Sequence, residues 1–144
     1  MATLQEMLLS DGGLSLEDIN KADSNAKKER ITLMHAIENL NKIEEEKLLD
    51  IFAKHFKTHK VMIGNMDIPG NILDLIPKDI AQKYRVIPIE RAGNNIIVAM
   101  GDPRNLEAID SIRFKCGYFA KPVLASELRI NEAINKYYGK MDMS

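Results

Sequence analysis

Apolar positions in the first 55 residues fall into helical stripes, and the stripes occur twice. Leu4, Met7 and Leu8 lie at i, i+3 and i+4, as one face of a short helix requires. Ile19, Ala22 and Ala26 form a second stripe after a break at Gly12. The block then returns 29 positions later without a gap: Leu4 as Leu33, Leu8 as Ile37, Leu14 as Ile43, Ile19 as Leu48 and Ala22 as Ile51. Gly12 returns as Asn41. These are the two residue types that best tolerate a left-handed backbone, so both positions are expected to end helices. Self-similarity at this period marks a supersecondary unit that covers its apolar face by stacking on its copy. The pattern predicts four helices. Ser15, with Asp18 three residues on, predicts an acidic capping box at the start of the second. Glu44, Glu45 and Glu46 sit where the dipole of the fourth helix favours carboxylates, and Leu48, Ile51, Phe52 and Phe56 give that helix one apolar face.

Between His59 and Pro77 the helical period breaks. Gly64, Pro69, Gly70 and Pro77 punctuate this stretch, with a candidate edge strand at 61–63. A helix is expected over 77–84. Two β-rich runs, 86–90 and 95–100, are joined by Arg91-Ala92-Gly93-Asn94, a hairpin signal. Asp102-Pro103 reads as an N-cap and first helical residue. The helix that follows is expected to turn Leu106, Ile109, Ile112 and Cys116 inward and to end at Gly117. A third strand is expected at 121–124. Ser126 then caps a last helix with Ile130, Ile134 and Tyr137 on one face, ending at Gly139. The expected fold is α+β: a four-helix tandem helix-turn-helix repeat in residues 1–58, a linker in 59–76, and a small α/β lobe with a three-stranded sheet in 77–140.

Composition narrows the function classes. The 144 residues are 45% hydrophobic and 28% charged, a globular balance with enough chain to bury its own core. The net charge of −1 gives no global electrostatic case for a nucleic acid polymer. Cys116 is the single cysteine, which excludes an internal disulfide; it reads as a small hydrophobe near a helix end. No run of about 18 apolar residues is present, and the start MATLQEMLLSDGG lacks a basic n-region, so direct membrane insertion is not expected. His55 and His59 are spaced i, i+4, but no nearby Cys, Asp or Glu completes a zinc set, and no metal site is expected. Lys54, Lys57, Lys60, Arg85 and Arg91 offer a basic surface without the interleaved aromatics that single strands stack on. Asp102, Glu107 and Asp110 read as a cap and exposed helix residues rather than an acid/base set. No Ser/His/Asp or Cys/His arrangement is evident, so no catalytic residue is assigned.

Residues 77–139 resemble the N-terminal domain of type II secretion and type IV pilus assembly ATPases. The resemblance rests on P-K-D-I-A-Q-K-Y-R-V-I-P-I at the start of the lobe, the hairpin ending V-A-M-G-D-P, the L-E-A-I-D helix and the closing I-N-K-Y-Y-G. The repeat in residues 3–55 is similar to a tandem motif of the same proteins, the MshEN motif. That motif runs R-L-G-x-x-L-[VL]-x-x-G, an apolar pair, then L-x-x-A-L-x-x-Q, in two copies five residues apart. Residues 27–31 are that spacer here. In some members the motif binds cyclic di-GMP. Arginine suits guanine or phosphate because its planar fork can bond bidentately, and glycine suits close backbone approach. This chain departs from that ligand set. The arginine positions are Thr3 and Thr32, the glycines after leucine are Gln5 and Met34, and the terminal glutamines are Ala26 and His55. Losing two charge-assisted contacts of ~1.5–3 kcal/mol each removes roughly 10² to 10⁴ in affinity. Cyclic di-GMP binding is therefore expected to be absent or much weakened, and no cofactor is implied.

The resemblance implies a non-catalytic adaptor domain that docks a hexameric motor onto protein partners of a secretion or pilus machine. In the type II system the partner would be the cytoplasmic domain of an inner-membrane assembly protein. The expected location is the cytoplasm, at the inner-membrane face. A phosphate-cradling Walker A loop requires Gly-x-x-x-x-Gly-Lys-[Ser/Thr]; the only Gly-Lys here, Gly139-Lys140, is followed by Met141, so the chain is not expected to be an ATPase. The alternative is a second-messenger sensing domain with an altered motif. Exposed helix faces and the strand edge at 121–124 are the expected docking surfaces.

Overall fold

The repeat folds in register. In the computed structural model, which describes residues 2–139, α1 (Leu4–Ser10) and α3 (Leu33–Leu40) begin 29 residues apart, as do α2 (Leu16–Glu29) and α4 (Glu45–Phe56). Local chemistry sets these starts. Thr3 caps α1 by accepting the Glu6 N–H at 3.1 Å, and Thr32 caps α3 by accepting that of His35 at 3.0 Å. Ser15 and Asp18 form the capping box of α2, with reciprocal bonds of 3.0 and 3.2 Å. The α4 N-cap, Glu44, makes no side-chain capping bond, and Glu45 and Glu46 fill the first turn. Inside, Leu8, Ala22, Ile37, Leu48 and Phe52 are buried, with α2 packed on α3 and α1 on α4.

The two copies end their first helices differently. Asn41 closes α3 at φ 56° as expected, but the left-handed residue after α1 is Gly13, at φ 68°, not Gly12. Gly12 is required for space: a Cβ there would stand 2.6 Å from the Leu8 carbonyl oxygen. The register also breaks at the far end. Arg30 ends α2 and Lys57 ends α4, both left-handed, so α4 stops two residues earlier in the repeat.

Contacts divide the chain into two units after Lys60. In the second, β1 (Val86–Ala92) and β2 (Asn95–Met100) are antiparallel across the two-residue turn Gly93-Asn94, and β3 (Phe119–Leu124) runs parallel to β2. The sheet order is β1-β2-β3. The crossover helix is α7 (Leu106–Cys116), and its cap is Asn105, which accepts the Ala108 N–H at 3.2 Å. The expected cap, Asp102, instead closes a turn by accepting the Arg104 N–H at 2.9 Å. That turn delays the helix by several residues. Leu106 is consequently 69% exposed rather than inward, while Ala108 and Ile112 are buried and Ile109 and Cys116 half-buried.

Residues 61–76 contribute to this unit's core. A 3-10 turn at Ile63–Asn65 and the short α5 (Gly70–Leu73) bury Ile63, Ile68 and Ile76. The strand expected at 61–63 reduces to one bond from Val61 N–H to the Leu124 carbonyl, 2.9 Å. Helix α6 (Lys78–Tyr84) follows Pro77. Helix α8 (Glu127–Ala133), capped by Ser126, widens into a π-turn at Ile134–Tyr138. The wider turn brings Tyr138, rather than Tyr137, fully into the core. The Tyr138 hydroxyl lies 3.0 and 2.9 Å from the Leu73 and Ile76 carbonyls. Burial pushes its phenol well above the usual range. The half-buried Tyr137 hydroxyl donates to Met66 O and accepts from Ile68 N–H, each at 3.3 Å. The expected lobe end at Lys140 lies outside the described residues. No helix among the described residues is long and apolar enough to cross a membrane.

Candidate functional site

The six motif positions take three different roles. Thr3 and Thr32 are N-caps, each with its side-chain oxygen committed to a backbone N–H. Ala26 and Met34 belong to the helical core. Gln5 and His55 face solvent without a capping role, and they line separate grooves.

Gln5 lines a groove of ≈ 310 Å³ between α1 and α2, with Leu4, Leu8, Ile19, Asn20, Asp23 and Leu33. Asn20 and Asp23 were not singled out by the sequence pattern. The available signal was their place one and four residues after Ile19, flanking the apolar stripe of α2. Asp23 is ion-paired with Lys27 at 3.2 Å, and none of the lining residues is a cation. The equivalent positions in the second copy, 29 residues on, are Met34, Leu49 and Phe52. These are 1%, 1% and 2% exposed, so their own side chains close the corresponding cleft.

His55 lines the second groove, ≈ 370 Å³, with Ala2, Met7, Lys54 and Lys57. Its ring sits 5.2 Å from that of Phe56. Because α4 ends at Phe56 and Lys57 is left-handed, His55 and His59 do not share a helix face. Among the described residues, no group of three or more His, Cys, Asp or Glu is placed to hold a metal ion. Lys60, read from sequence as part of a basic surface, is paired with both Glu46, at 3.1 Å, and Asp50. Those partners, Asp50 foremost, hold its ammonium above the usual lysine range.

The strand edge at 121–124 is a poor acceptor for a partner strand. Phe119 N–H bonds Asn94 O and Ala125 N–H bonds Met100 O, so residues 119–125 alternate between β2 and the open edge. The outward positions are Ala120, Pro122 and Leu124. Pro122 has no N–H to give, and the Leu124 carbonyl already accepts from Val61.

The MshEN domain family matches residues 56–144. The chain belongs to this family. The MshEN match falls on the second unit and the end of α4, and likeness to whole relatives extends over the helical repeat as well. The domain is 36% identical over 137 residues to the type IV pilus assembly ATPase PilB of Myxococcus xanthus, covering 95% of this chain and 24% of that protein. It is 22% identical over 138 residues to PilB of Pseudomonas aeruginosa, covering 96% and 24%. The chain thus spans about a quarter of the length of these curated relatives. Among solved structures, it resembles MshE with cyclic di-GMP at a TM-score of 0.68 and 22% identity, over 96% of this chain and all of that one. It resembles the N-terminal domain of XpsE at a TM-score of 0.69 and 17% identity, over 94% of each chain. At these identities the structural likeness is one of fold.

Proposed function

We propose that this MshEN domain is a non-catalytic docking domain of a pilus assembly or type II secretion ATPase. It joins the motor to a protein partner at the inner-membrane face, the cytoplasmic domain of an assembly protein being the expected kind. Nucleotide hydrolysis belongs to sequence outside this segment. The observation that carries the reading is the fate of the repeat's ligand positions. Thr3 and Thr32 hold helix starts, Ala26 and Met34 fill the core, and the groove beside Gln5 is lined by the Asp23 carboxylate, paired with Lys27 on its own helix, and by no cation. A bis-phosphate ligand there meets a carboxylate and neutral side chains in the groove lining instead of an arginine fork.

Isothermal titration with cyclic di-GMP, against GTP and cyclic di-AMP, tests the negative half of this reading. No heat of binding at micromolar ligand is expected. Micromolar, selective binding would move the domain to the sensing class that the MshE structure exemplifies. Titration with the cytoplasmic domain of the cognate inner-membrane assembly protein tests the positive half, and saturable binding is expected.

A further inference from the structure

The second unit carries an aromatic and cationic cluster that its fold does not use. Phe114, in the last turn of α7, is 93% exposed, and Phe119, at the start of β3, is 48% exposed. A chain with four phenylalanines leaves two of them at one corner. This corner forms where the end of α7 meets the β1–β2 turn, since Phe119 pairs with Asn95 beside Gly93-Asn94. Asp110, one turn before Phe114, separates it from the exposed Leu106.

Three cations belong to the same segments, two of them stacked on rings. The Arg113 guanidinium lies 4.0 Å from the Phe119 ring centroid and its Nη1 donates to Gly117 O at 3.0 Å. The Arg91 guanidinium lies 4.9 Å from the Tyr118 ring centroid and its Nε donates to Gly93 O at 2.9 Å. Lys115 follows Phe114 directly. Among the described residues none of these three is in an ion pair, whereas Lys27, Lys42, Lys60, Arg104 and Arg129 all are. The two arginines are therefore held in place by ring and carbonyl contacts while their charge remains uncompensated. Side chains already ordered lose little entropy on binding, and arginine with large aromatics is the composition of binding hot spots.

We infer that this corner is the surface through which the domain docks, and that its occupant is a protein surface with an apolar pocket rimmed by carboxylates. The inference rests on the docking reading above. Phe114 enters the pocket, and Arg91 and Arg113 make charge-assisted bonds to the rim. An anionic bilayer is the competing occupant, but the exposed face of α7 also carries Glu107 and Asp110, which such a bilayer repels.

The test is titration of the full chain with the cytoplasmic domain of the cognate assembly protein. Phe114→Ala and Arg113→Glu are each expected to weaken binding about tenfold or more. The native affinity is expected to fall as salt is raised. Leu9→Ala, an exposed apolar change in the first unit, is expected to bind as the native chain does. Thermal unfolding of Phe114→Ala is expected to match the native protein, because so exposed a ring supports no core. Equal binding by the native chain and both variants would overturn the surface assignment and leave the docking reading intact. No binding by the native chain would overturn the docking reading and this inference with it. Sedimentation with phosphatidylglycerol vesicles that Phe114→Ala abolishes would overturn the protein occupant.

Discussion

Gly12 and Gly13 divide between them two tasks that the sequence pattern gave to one residue. Gly13 takes the left-handed backbone, and Gly12 provides the space beneath which the chain turns against Leu8. Gly12→Ala places a methyl against a backbone carbonyl that cannot rotate away. A loss of about 1–3 kcal/mol is expected, read by urea unfolding. Asp18 shows the same economy of position. Its hydrogen bond from Lys42, at 2.8 Å, is the largest cause, with the Ser15 contacts next, of a carboxyl pKa lowered from 3.8 to about 2. A depressed folded pKa contributes stability that is fully present above the unfolded value and is lost as pH falls through the folded one. Native stability should therefore decline between about pH 4 and pH 2 through this group. Asp18→Asn should flatten that part of the profile, and a slope equal to the native one in thermal melts across this range would refute the assignment. The capping box itself was legible in sequence, because both partners lie within four residues. The Lys42 partner was not, because it lies 24 positions away.

At the scale of elements, local signals located most helix starts and, at Asn41, Gly117 and Gly139, helix ends. Thr3, Ser15, Thr32 and Ser126 open helices by bonds within their own first turns. Asp102-Pro103 has equally good capping chemistry, yet Asn105 caps α7, because Asp102 is engaged by the Arg104 N–H in the preceding turn. The terminal helix ends at Gly139 as expected, but its inner face there was hidden. A period of 3.6 placed Tyr137 on the inner face, and a π-turn shifts that place to Tyr138. The shift has a tertiary cause in view: both tyrosine hydroxyls reach carbonyls of residues 66–76. Tyr138→Phe leaves a buried carbonyl without its donor and is expected to lower stability by about 1–2 kcal/mol with little change in fold, measured by chemical denaturation and circular dichroism.

Over the whole molecule, the net charge of −1 is a sum of 20 basic and 21 acidic side chains with different partners. Several exposed cations are neutralised in pairs, whereas Arg91 and Arg113 are held by an aromatic ring and a backbone carbonyl instead. Sequence by itself determined the 29-residue repeat, the α+β order, the hairpin and the loss of the arginine pair. Each of these depends on period, on residues within a few positions, or on identity at a motif position. The family resemblance was legible for the same reason, since its motifs are contiguous. Tertiary structure alone decided which polar residues meet. It placed Asn20 and Asp23 beside Gln5, closed the sister cleft with Leu49 and Phe52, blocked the β3 edge with Val61, and stacked Arg113 on Phe119. Burial and charge pairing are properties of neighbours in space. Helical and strand periods report only which face a residue occupies, not what the chain later brings against it.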